Sequence, residues 1–183
     1  MPSLVGSEMC IRDRAKTTTS VDLANRSRGL TEENFGLNAI DPKSQYIYVM
    51  DTFDFYNYAN RHGHQYDTIV IDPPSFARNK KKTFSVQKDY DKLINGALEV
   101  LAPKGTLLLC TNSSVFSLKA FKNVIKTTLE EAEVDYEIKE VMGLPKDFKT
   151  HPHYKPSKYL KAIFVNIEPV SYTHLRAHET RHD

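Results

Sequence analysis

Residues 66–84 read YDTIVIDPPSFARNKKKTF. The nearly continuous apolar run YDTIVID predicts a strand buried on both faces, the habit of parallel strands in α/β sheets. It is stopped by Asp72-Pro73-Pro74 and followed by an aromatic, Phe76, and a basic cluster, Arg78, Lys80, Lys81 and Lys82. Upstream, KTTTSVD and QYIYVMD read as strands. Each is followed by a helical stretch, the first weakened by Gly29 and Gly36, the second ending at Gly63. Downstream, SVQKDYDKLINGALEVL is an amphipathic helix with Pro103 and Gly105 as stop signals, and TLLLC is a second buried strand. A helix follows with apolar positions Leu118, Phe121, Val124, Ile125 and Leu129. VDYEIKEVMG and KYLKAIFVNI then close the chain as two strands without an intervening helix. The pattern predicts an α/β fold, a doubly wound and mostly parallel sheet with an antiparallel hairpin at one edge.

The chain has 183 residues, enough for one sizeable core, and a net charge of +2, too small to identify a partner by itself. No run is long enough to cross a bilayer, and nothing at the start reads as a signal peptide. Two cysteines fit a reducing compartment rather than a disulfide scaffold, so a cytoplasmic location is expected.

The two ends carry an unusual relation. When EMCIRD, residues 8–13, is written in suitable codons, its reverse complement reads VSYTHL, residues 170–175. LVGS pairs in the same way with RAHE, and MPS with TRH, so thirteen consecutive codons obey one inverted repeat. These ends resemble the translated mosaic-end adaptor of transposon-based sequencing libraries. Residues 1–14 and 169–183 are therefore expected to be non-native, leaving 15–168 as a partial catalytic domain. Cys10 lies in the excluded segment, so Cys110 is the cysteine of interest.

Asp22, Asp51, Asp72 and Cys110 all fall at the carboxyl ends of predicted strands, where open α/β sheets bind ligands. A single aspartate there commonly just caps the next helix. Three on consecutive strands suit a nucleotide-like cofactor, Asp22 accepting hydrogen bonds from ribose hydroxyls and Asp51 from an adenine amino group. Pro73 and Pro74 remove two N–H groups and bare carbonyls, and Phe76 is placed to stack on a flipped planar base. A rigid strand-ending turn with a packed Phe would use the same residues.

DPPSF resembles the fourth motif of the class I S-adenosylmethionine-dependent methyltransferases, whose sheet is Rossmann-like. More closely, the stretch from Val70 to Ser114 resembles the bacterial large-subunit ribosomal RNA methyltransferases of the cytosine-C5 type, and TTSVDLANRS matches that family's second motif. The resemblance covers nearly all of residues 15–168 and implies S-adenosylmethionine as cofactor and 23S ribosomal RNA as partner. It assigns Asp22 to the cofactor ribose, Asp51 to the adenine, and Asp72–Phe76 to the floor beneath the target base. It also implies that the family's first strand and glycine-rich loop belong just before Ala15, and an amino-terminal RNA-binding domain before that. Without them the chain as it stands is expected to lack half its cofactor site and to be inactive.

Methylation of cytosine C5 ordinarily begins with a cysteine thiolate adding to C6, and Cys110 is the candidate. C5-type relatives carry a T-C-S-C-S-like pattern here, whereas this chain has Cys110-Thr111-Asn112, with Asn112 in place of the second cysteine. An N-methyltransferase acting on a guanine or an amino group needs no thiol and is the alternative. A catalytically silent RNA-binding module on the same fold is another. Arg78, Lys80, Lys81 and Lys82 are placed to neutralise RNA phosphates, although a charge run can be a simple solvated loop. His151-x-His153 has no third ligand at suitable spacing, so no metal is expected, and residues 144–160 read as a loop over the substrate.

Overall fold

A computed structural model describes residues 15–78, 83–145, 147–151, 153–154, 157 and 159–168. The chain falls into two compact units, divided after His62. Residues 1–14 and 169–183, expected to be non-native, lie outside the described residues.

In the first unit, β1 (Thr19–Asp22) runs parallel to β2 (Tyr46–Val49), with Asp22 opposite Val49. The approach to β1 is held by Gln45, whose Oε1 accepts from the Thr18 backbone N–H at 2.6 Å and the Thr18 hydroxyl at 3.0 Å. Helix α1 (Asn25–Leu37) runs through Gly29 and Gly36, and buries only Phe35. A 3₁₀ turn at Pro42–Ser44 is capped by Asp41. Helix α2 (Thr52–Arg61) buries Phe55, Tyr56 and Ala59. Tyr48 of β2 packs on it, 5.1 Å from the Phe55 ring and 5.6 Å from that of Tyr58. Parallel strands joined by a helical crossover are what the alternating pattern required.

In the second unit, β3 (Tyr66–Ile71), β6 (Leu101–Thr111), β7 (Tyr136–Met142) and β8 (Lys161–Ile167) form one mixed sheet in the order β3-β6-β8-β7. The β3–β6 pair is parallel, and β8 is antiparallel to both neighbours. The two closing strands thus make the expected antiparallel edge pair, but the later one lies inside and β7 is the rim. Helices α3 (Val86–Leu98) and α4 (Leu118–Glu131) supply the core, with Tyr90, Ile94, Phe121, Ile125 and Leu129 at most 1% exposed. Tyr90 meets Phe121 edge-on at 4.9 Å.

Two local readings are corrected. First, β3 is not buried on both faces: Ile71 is buried but Val70 is 53% exposed, because β3 is the edge strand of its sheet. Second, Pro103 and Gly105 do not precede the next strand but lie within β6, where the register jumps from Tyr66↔Leu101 to Thr68↔Thr106. This bulge puts Lys104 at φ 63°, and a Cβ on Gly105 would come 2.6 Å from Leu101 Cγ and 2.8 Å from the Ala102 carbonyl oxygen. After the proline turn, β4 (Phe76–Arg78) and β5 (Thr83–Ser85) pair antiparallel.

Candidate active site

The geometry of the second unit follows from the β3–β6 register. Ile71 pairs with Leu109, so Asp72 leaves β3 level with Cys110. On β6 the side chains alternate, with Leu107, Leu109 and Thr111 buried and Cys110 on the opposite, half-buried face. The Tyr90 hydroxyl, inserted from α3, faces the Cys110 carbonyl oxygen at 2.8 Å and the Ile71 carbonyl oxygen at 3.2 Å. It bridges the last residue of β3 and the penultimate residue of β6.

Beyond the strand ends, the Ser75 hydroxyl donates to Asn112 Oδ1 at 3.1 Å, and the Val86 N–H donates to the Ser75 carbonyl at 3.2 Å. The turn Asp72-Pro73-Pro74-Ser75 is therefore fastened both to the end of β6 and to the start of α3. Phe76 stands 61% exposed on β4, available as a flat apolar surface. Asp72, Pro73, Pro74, Cys110 and Asn112 are thus brought to one edge, as the sequence predicted, with Phe76 and Arg78 on the hairpin that follows. Lys80, Lys81 and Lys82 lie outside the described residues.

Partial burial raises the Asp72 carboxyl above its usual range. Burial, reinforced by the negative charge of Asp72, pushes the Cys110 thiol from its ordinary 9.0 to about 11. This is the reverse of what a nucleophilic cysteine needs.

In the first unit, Asp22 Oδ1 accepts from the Ala24 N–H and its Oδ2 from the Ser27 hydroxyl, both at 2.8 Å. Asp51 is the N-cap of α2, accepting from the Phe53 N–H at 3.0 Å. Asp51 therefore performs the capping role, whereas Asp22 lies two residues before the α1 N-cap, Ala24, and holds the turn into the helix; both stand at the carboxyl ends of adjacent parallel strands. A carboxylate offers about four lone pairs, so the two contacts of Asp22 leave acceptor capacity suited to the hydroxyls of a nucleoside. Beside Asp51 an open cleft is lined by Met50, Asp54, Asn57, Tyr58 and Arg61.

One residue escaped the sequence reading. Lys161, the first residue of β8, is 7% exposed, and its Nζ donates to the carbonyls of Ser113 at 2.6 Å and Tyr159 at 2.8 Å. The available signal was a lysine opening an otherwise apolar strand, KAIFVNI. Among the described residues, no group of three or more His, Cys, Asp or Glu is placed to hold a metal. No helix among them is long and apolar enough to cross a membrane.

Comparison with known proteins decides the family. A model for S-adenosylmethionine-dependent methyltransferases matches residues 6–166. The chain belongs to that family. Its methyl donor, by the family's definition, is S-adenosylmethionine. A Bacillus subtilis protein, YwbD, named as a candidate ribosomal RNA large subunit methyltransferase, is 43% identical over 151 residues, covering 82% of this chain and 38% of its own length. The ribosomal RNA large subunit methyltransferase K of Neisseria meningitidis is 34% identical over 139 residues, covering 74% of this chain and 36% of its own. Among solved structures, SMU.776, named as a candidate methyltransferase and crystallised with S-adenosylhomocysteine (SAH), superposes with a TM-score of 0.81 at 40% identity. That alignment covers 87% of this chain and 41% of the other. The chain thus spans about two fifths of the length of these methyltransferases.

Proposed function

We propose that these residues belong to an enzyme that methylates a base of 23S ribosomal RNA, and that the acceptor is a nitrogen of guanine or an exocyclic amino group rather than C5 of cytosine. Membership of the methyltransferase family, with relatives named for ribosomal RNA, supports the reaction class. The observation that carries the choice of acceptor is Asn112, which stands where C5-type relatives carry the second cysteine. Burial beside Asp72 raises the pKa of the remaining thiol, Cys110, and so disfavours its thiolate. Carbon C5 needs that thiolate to become nucleophilic, whereas a ring nitrogen already presents a lone pair and needs only alignment.

S-adenosylmethionine supplies an electrophilic methyl group when bound. Asp22 accepts from its ribose hydroxyls and Asp51 from its adenine amino group. Asp72 and the carbonyls bared by Pro73 and Pro74 accept from the polar edge of the flipped base, and Phe76 stacks on its face. Asn112, oriented by Ser75, is a donor and acceptor for the same edge. Arg78, with Lys80, Lys81 and Lys82, neutralises phosphates of the strand that carries the base. A cytoplasmic setting, where ribosomal RNA is found, fits this reading.

The cytosine-C5 reading keeps one supporting fact, the place of Cys110 level with Asp72, and the two readings part on whether that thiol is required. The cofactor roles are tested in a chimera in which residues 15–168 replace the matching segment of YwbD. Asp22→Ala and Asp51→Ala should each weaken SAH binding at least tenfold by titration calorimetry. Unchanged affinity in both would show that these aspartates only hold the turns into their helices.

A further inference from the structure

Lys161 has chemistry that the roles above leave unused. Its ammonium is buried, yet its hydrogen bonds go to two neutral carbonyls, and among the described residues it forms no ion pair. A buried charge without a counter-charge is costly, and two carbonyls leave one of its three N–H donors unused. Burial accordingly holds its pKa below the ordinary lysine value.

Lys161 forms one wall of an open cleft with Ser114, Ser117, Leu118, Val141 and Met142. The cleft has a volume of about 340 Å³. Its apolar wall is unusually bare: Leu118, Val141 and Met142 are 39%, 36% and 37% exposed, although Leu118 sits on the apolar stripe of α4. One cation, two hydroxyls and a flat apolar wall are the complement of a nucleotide, anionic at the phosphate and apolar at the base face.

We propose that this cleft seats an unpaired nucleotide of the RNA next to the target base, with its phosphate on Lys161, Ser114 and Ser117 and its base on Leu118, Val141 and Met142. The proposal rests on the RNA reading above. It is linked to the target floor by one short segment, since Lys161 holds the Ser113 carbonyl and Ser113 follows Asn112. Asn112 and Ser114 are two residues apart, so their Cα atoms stand no more than about 7 Å from each other, a spacing that neighbouring nucleotides of one strand can bridge.

The test is an NMR titration of the ¹⁵N-labelled chain with uridine 5′-monophosphate, which lacks the adenine that the cofactor residues would recognise. The amides of Ser114, Leu118 and Gly143 should shift, and uridine without phosphate should bind at least tenfold more weakly. Lys161→Met should lose at least tenfold in affinity. Because Lys161 also ties two backbone segments, Met142→Glu, on the partly exposed wall, serves as a second variant and should repel the phosphate to a similar extent. Absence of shifts at the cleft, or wild-type affinity in both variants, overturns the site. A Lys161-dependent nucleotide site in a chain whose chimera never methylates RNA would sink the enzyme reading alone. RNA methylation with a cleft that ignores the nucleotide would sink the site alone.

Discussion

Ser75 and Asn112, thirty-seven residues apart in sequence, are joined by a 3.1 Å hydrogen bond from the Ser75 hydroxyl to Asn112 Oδ1. It fastens the proline turn after β3 to the end of β6, and it fixes which way the Asn112 amide points. Both residues are exposed, so the bond contributes little to stability, about 0.5 kcal/mol of coupling. Ser75→Ala, Asn112→Ala and the double variant should show that coupling in urea melts. In the chimera, Ser75→Ala should lower methyl transfer far more than it lowers stability. Strict additivity of the two substitutions would mean that the bond does not hold the turn.

The Cys110 thiol makes a pH prediction whose sign is set by its raised pKa. The folded protein favours the protonated thiol, so this group's contribution to stability is complete below pH 9 and is lost as pH rises from 9 towards about 11. Alkylation by iodoacetamide, followed at the Cys110 peptide by mass spectrometry, should stay slow at pH 7–8 and accelerate over that window. Asp72→Asn removes the neighbouring negative charge but not the burial, and should bring the acceleration to lower pH. Rapid alkylation of wild-type Cys110 at pH 7 would contradict the protonated state.

Tyr90 is 1% exposed, and its hydroxyl faces the Ile71 carbonyl at the end of β3 and the Cys110 carbonyl near the end of β6. Tyr90→Phe keeps the ring contact with Phe121 and leaves those carbonyls without the phenol. It should cost about 1–2 kcal/mol in chemical denaturation and speed amide hydrogen exchange at the strand ends. A neutral substitution would show that the hydroxyl is not what ties the two strands.

Gly105 and Gly63 differ in an instructive way. At Gly105 a Cβ meets Leu101 and the Ala102 backbone below 3 Å, whereas at Gly63, with φ +66°, the added atom meets open space. Gly105→Ala should cost about 2–3 kcal/mol through forced displacement of the bulge. Gly63→Ala should cost about 1 kcal/mol from backbone strain alone. Equal costs in urea melts would remove the steric account of the bulge.

Much of this architecture was legible in the residues, for physical reasons. The helices announce themselves through 3.6-residue spacing, as at Phe121, Ile125 and Leu129, and an aspartate at a strand end, as at Asp51, marks the start of the next helix. Strand ends were legible because Asp72-Pro73-Pro74 cannot continue a ladder. What stayed hidden depends on pairing between distant segments. Nothing local shows that β8 inserts between β6 and β7, or that Pro103–Gly105 forms a bulge inside β6, because both are set by partner strands. The β4–β5 pairing was hidden because strands of three residues are too short to show a period. Lys161 was missed because a lysine at a strand start is usually solvated, and its hydrogen bonds to the Ser113 and Tyr159 carbonyls have no local signature.

The acceptor atom is the point on which the account stands or falls. The chimera carrying residues 15–168 should be incubated with 23S ribosomal RNA and isotopically labelled S-adenosylmethionine, with and without Cys110→Ala. The RNA is then digested and the methylated nucleoside identified by mass spectrometry. The prediction is a label on a guanine nitrogen or an exocyclic amino group, with transfer in Cys110→Ala within about threefold of wild type. Labelled 5-methylcytidine that disappears in Cys110→Ala, or no transfer to RNA at all, would contradict it.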